Sequence, residues 1–143
     1  MDDYQTYTKP NRFYTILRWI VLLPSALLAG WLGWLVVSFV NRISFGMMGI
    51  NPDSFFSRIF IEGVSHGVLG AGVVYVSAKV APTHKVIVVF VMAGLSLLGA
   101  GILLFPAIAS KNLWAIFSCI CIAIGAGGVA WAVYSGEISE EDL

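Results

Sequence analysis

Arg58, Glu62 and His66 stand at intervals of four, with Ser65 beside the last of them. On a helix that spacing places the three longer polar side chains on one face. Glu62 is the acidic residue that sits near an apolar run, and a carboxylate beside an imidazole can relay a proton because histidine titrates near neutral pH. Ionisable groups at membrane depth mark a pathway or a pair that faces the interior of the protein. The same residues also suit a plainer role. Arg58 and Glu62 can form an interfacial salt bridge worth about 0.3–0.5 kcal/mol if exposed, with His66 donating a hydrogen bond to Glu62 or to a facing carbonyl. The polar stripe stops at Leu69 and Val73 and resumes at Ser77, so this helix alone offers no conduit. His84 reads as an exposed turn residue.

The elements that hold these residues are apolar. Uncharged runs cover residues 19–40, 63–78, 86–110 and 112–136, and of 143 residues 59% are hydrophobic and 11% charged. An ordinary soluble domain has roughly 25% charged residues. A 22-residue run such as 19–40 rises roughly 33 Å as a helix, enough to cross a hydrocarbon core about 30 Å thick. The expected fold is therefore an all-α integral membrane protein with four transmembrane helices, about 13–40, 55–79, 85–109 and 113–134, in an up-down bundle. The transmembrane domain extends over 13–136, after a polar arm at 1–12.

Residues 41–53 are too apolar for a solvated loop and too glycine-broken for a span, and they are expected to lie at the interface as a short segment. Asn51-Pro52-Asp53-Ser54 follows as a turn and helix start, with Asp53 or Ser54 as N-cap. Pro82-Thr83-His84-Lys85 and Ser110-Lys111-Asn112 are tight links that make consecutive spans antiparallel. Pro24 falls inside the first span, where neighbouring helices can satisfy the freed carbonyl.

Lysine and arginine counts in the flanks set the expected orientation. Lys9, Arg12, Arg18, Lys79 and Lys85 fall on one side, and Arg42, Arg58 and Lys111 on the other. The excess places both termini in the cytoplasm, and the expected location is the inner (plasma) membrane of a bacterium. Trp19, Trp114, Trp131 and Tyr134 lie near span ends, as an aromatic belt requires. Residues 137–143 form an acidic tail that reads as a solvated end. Its last six residues, ISEEDL, resemble the end of a widely used epitope tag and are assigned no function.

Small residues are the other pattern. Gly63 and Gly67 form a G-x-x-x-G pair continued by Gly70, the third span carries Gly94 and Gly99, and the fourth repeats Cys119, Ala123 and Gly127 at intervals of four. Such faces let helix backbones meet closely, the main attraction available between helices in lipid. Gly63, Gly67, Gly70, Gly94, Gly99, Ala123 and Gly127 are thus expected at helix-packing or oligomer contacts. Cys119 and Cys121 point to nearly opposite sides of their helix and read as packing residues.

The balance of eight basic and eight acidic residues gives no basis for nucleic-acid binding. The chain carries no phosphate-binding loop, no H-E-x-x-H and no serine–histidine–aspartate set on aqueous loops. No cofactor and no metal are expected. These readings point to a non-enzymatic accessory or scaffolding subunit, a homo-oligomer or part of a larger membrane complex, with membrane lipids as its surroundings. The alternatives are a small ion channel or proton-linked transporter using Glu62 and His66, and a lipid-binding or lipid-modifying membrane protein.

Overall fold

The computed structural model describes residues 12–139 and Leu143. The rest of the expected polar arm, and Glu140, Glu141 and Asp142 of the tail, lie outside the described residues. Four helices make up the fold, α1 (Arg12–Met47), α2 (Phe55–Val80), α3 (Lys85–Ala109) and α4 (Leu113–Tyr134), with no strand among the described residues. All four are long and apolar enough to cross a membrane. Large apolar side chains are exposed along every one of them, as expected where lipid replaces water as the solvent.

Of the segment expected at the interface over 41–53, residues 41–47 instead prolong α1, which continues through Asn41 and Arg42 to Met47. A helix ends where its last carbonyls find partners, and here that happens at Gly49. With φ +71°, Gly49 takes the left-handed conformation that glycine tolerates. Its N–H bonds to the Gly46 carbonyl and that of Ile50 to Phe45, the paired arrangement of a Schellman cap. At 36 residues, α1 rises about 54 Å and extends well past a hydrocarbon core of about 30 Å. The next start lies where the turn chemistry puts it. Asp53 donates its N–H to the Asn51 side chain, and Ser54, not Asp53, caps α2 by accepting from the Ser57 N–H.

α2 is the hub: it packs on each of the other three helices, whereas α1 packs on α2 alone. Arg18 meets Val80, Gly30 meets Gly72 and Val73, Ser38 meets Ser65, and Phe45 meets Phe60. Numbers rise on one helix as they fall on the other, so α1 and α2 run antiparallel. Along α4 the partners rise together, Arg58 with Trp114, Gly63 with Phe117 and Gly70 with Ile122, so α2 and α4 run parallel. Because α1 has no direct packing on α3, a trough of about 280 Å³ lies between them. Leu27 and Leu95 form its sides and Leu69 its floor.

The tail does not simply run into solvent. Gly136 (φ +79°) closes α4 with a second Schellman cap and turns the chain back. Ile138 packs against the core and Leu143 is 2% exposed within it, in the cluster that includes Ala81 and Val133.

The corresponding cap on α3 has lysine where glycine is usual. Lys111 sits at φ +53° and donates its N–H to Ile108, while Asn112 donates to Ala107. A side chain in that conformation costs roughly 1–2 kcal/mol. Lys111→Gly is therefore expected to stabilise the protein by about 1 kcal/mol, seen as a later midpoint in a denaturing-detergent titration; an earlier midpoint would contradict the cap assignment.

Candidate polar site

On α2, Glu62 and His66 face each other one turn apart. His66 Nδ1 lies 2.8 Å from the Glu62 backbone carbonyl oxygen and 3.3 Å from its carboxylate Oε2. The two side chains are 17% and 24% exposed for His66 and Glu62, so the pair is largely withdrawn from the surface. With α2 spanning Phe55–Val80, His66 stands about 2 Å along the axis from the helix centre and Glu62 about 8 Å.

The four residues expected to act together are divided by the fold. Arg58 makes no ion pair with Glu62; its guanidinium stacks over the Trp114 ring at 4.3 Å, a cation–π contact at the start of α4. A salt bridge to Glu62 would compete with that stacking, and at an exposed position neither is strong. Ser65 turns toward α1, fully buried, where its oxygen accepts from the Ser38 hydroxyl at 3.1 Å. It joins two helices rather than lining a site. Only Glu62 and His66 remain as a unit.

Three further residues flank that unit, and of these Trp34 alone carries a signal in the sequence. Trp34 meets the His66 ring edge-on at 5.9 Å, and its Nε1–H is buried with no hydrogen-bond partner among the described residues. A tryptophan in the middle of a span departs from the aromatic belt, and that displacement is the signal. Ser110 and Ser118 join His66, Pro106 and Cys119 around a cleft of about 480 Å³ between α2, α3 and α4. Both hydroxyls bond back to their own helix, Ser118 to the Trp114 carbonyl and Ser110 to that of Pro106.

Among the described residues no three of histidine, cysteine, aspartate or glutamate gather in one place. A cation here would have Glu62 and His66 as its side-chain ligands. The arrangement can hold a proton or present a polar edge inside an apolar cleft.

The small-residue positions also separate. Gly63, Gly67 and Gly70 pack on α4 within the same chain, against Phe117, Cys121 and Ile122. Ala123 lines a groove between α3 and α4. Gly94, Gly99 and Gly127 meet no neighbouring atom within 4 Å of where a Cβ would stand. Searches against protein-family models, curated proteins and solved structures give no match. The functional reading rests on these residues themselves.

Proposed function

We propose that the chain is a non-enzymatic multi-pass membrane subunit that associates with further copies or with a larger complex. Its four helices cross the bilayer up and down, with both ends on the cytoplasmic side. The observation that carries this reading is the division among the glycines. Gly63, Gly67 and Gly70 of α2 are occupied by α4 and Gly72 by α1, whereas Gly94 on α3 and Gly127 on α4 meet nothing within 4 Å. Small residues facing lipid give up contact that a second helix would supply, because close backbone approach is the main attraction in that solvent. Gly94→Leu and Gly127→Leu leave the fold intact on this view, since the space is open. In native nanodiscs the unaltered protein should show a multiple of 15.4 kDa or a co-purifying partner, and both variants should reduce it. A 15.4 kDa particle alone, or unchanged mass in both variants, removes the proposal.

The Glu62–His66 pair supports a second reading, a small ion channel or proton-linked transporter. Beyond His66, however, the α2–α4 seam is closed by backbone contact of Gly67 with Gly125 and of Gly70 with Ile122. Any route must then follow α3. Transport predicts a pH-dependent flux in liposomes that Glu62→Gln abolishes while assembly survives; no flux in the unaltered protein ends this reading.

A further inference from the structure

We infer that the cleft between α2, α3 and α4 binds a single-chain amphiphile whose head group is a protonated primary amine. The inference starts from where the hydrogens are. A carbonyl oxygen only accepts, so at 2.8 Å from the Glu62 carbonyl, His66 Nδ1 must carry a proton. In the neutral ring Nε2 is then a bare acceptor. Ser118 donates its hydroxyl hydrogen to the Trp114 carbonyl at 2.9 Å, and Ser110 donates to Pro106 at 2.8 Å. Their remaining capacity is as acceptors. Thus His66, Ser110 and Ser118 offer a ligand lone pairs, and the one other polar side chain of the lining, Cys119, adds only a weak S–H donor.

That asymmetry selects among head groups. A phosphate or carboxylate finds only the weak Cys119 S–H as a donor here, and the Glu62 carboxylate behind His66 repels it. A quaternary ammonium carries the favourable charge but no N–H. A primary ammonium brings three donors and a positive charge, which strengthens each hydrogen bond. The unpartnered donor Trp34 Nε1 belongs to an α1 ring that meets His66 edge-on, and Trp34 does not line the cleft.

A tail has a path as well. Leu103 and Ile122 line both the cleft and the trough between α1 and α3, so the two spaces adjoin. The trough is walled by aliphatic side chains such as Leu23, Leu27 and Leu95. The cleft's volume of about 480 Å³ is in the range of small-molecule sites, and the trough adds about 280 Å³. The lipid phase delivers such a ligand laterally, with no need for an aqueous entrance.

The test uses the full chain, labelled with ¹⁵N-histidine, in phosphatidylcholine nanodiscs, with His84→Asn so that one imidazole remains. Free His66 should show a protonated Nδ1 and a bare Nε2. Decylammonium should shift the Nε2 resonance saturably, and decyltrimethylammonium and decyl phosphate should bind at least about tenfold more weakly. Ser118→Ala keeps the helix and should weaken decylammonium about threefold, and His66→Leu, which removes the reporter and is followed instead by saturable binding of radiolabelled decylammonium, should abolish binding. A protonated Nε2 in the free protein, equal response to the three amphiphiles, or non-saturable partitioning would each overturn the inference. So would variants that bind like the parent. The site does not depend on association: a monomeric particle leaves it standing.

Discussion

Gly125→Ala is expected to destabilise the protein by about 3 kcal/mol or more, while Gly67→Ala, across the same contact, leaves it unchanged or slightly more stable. The two glycines face each other where α2 and α4 run parallel, but they are not equivalent. A Cβ on Gly125 would overlap the carbonyl oxygen of Gly67. A Cβ on Gly67 would meet its nearest neighbour, the Cys121 carbonyl oxygen, at 3.9 Å, an ordinary contact. The obstacle at Gly125 is backbone within a helix, so no rotamer change relieves it and α4 must move bodily.

Moving α4 also separates Gly70 from Ile122, where a Cβ would again fall on a carbonyl oxygen. One methyl group therefore opens several turns of the seam. In water the exposed surface would drive the helices back together, but in lipid the helices lose dispersion contacts with little hydrophobic penalty to oppose separation. Helix content should survive, because each span satisfies its own backbone bonds. Circular dichroism is thus the wrong readout. Cys121, 9% exposed and set against Gly63 in the seam, is a better reporter: in a Cys119→Ser background Gly125→Ala should expose it to a lipid-soluble thiol reagent and shift the denaturing-detergent midpoint downward. Retained protection and an unshifted midpoint would show that the seam is not packed this way.

The contrast marks what a single sequence can carry. Some helix limits were legible from the apolar runs and the turn residues between them: α3 and α4 begin and end at the residues expected. The extension of α1 was not. Asn41, Arg42 and Gly46 looked like a break, yet a helix needs a stop rather than mere polarity, and the stop is Gly49. The Glu62–His66 contact was legible because it is local, four residues along one helix. Arg58 on Trp114 and Ser65 with Ser38 were not, since each partner lies on another helix. Small residues occur on all four spans, and composition does not say which face meets which. Gly63, Gly67 and Gly70 were recognisable as a packing face, but that its partner is α4 of the same chain emerges only from the coordinates.

Arg18→Met is expected to cost about 1–2 kcal/mol and to loosen α1 specifically. In sequence Arg18 looks like one more flanking charge that orients a span. In the fold it reaches from the second turn of α1 to the far end of α2, where Nε donates to the Val80 carbonyl at 2.9 Å and Nη2 to that of Lys79 at 3.3 Å. The last carbonyls of a helix have no partners within it and carry the negative end of its dipole, so a guanidinium there satisfies both demands. The contact also pins one end of a helix whose one packing partner among the four is α2. Methionine keeps the aliphatic length and removes both donors. Lysine keeps the charge but offers one point instead of a planar fork, so Arg18→Lys should recover about half of the loss. Amide exchange in nanodiscs separates this from general destabilisation: protection should fall along α1 in Arg18→Met while α3 and α4 keep theirs. Equal loss in all four helices, or none in α1, would mean that the guanidinium does not hold α1 in register.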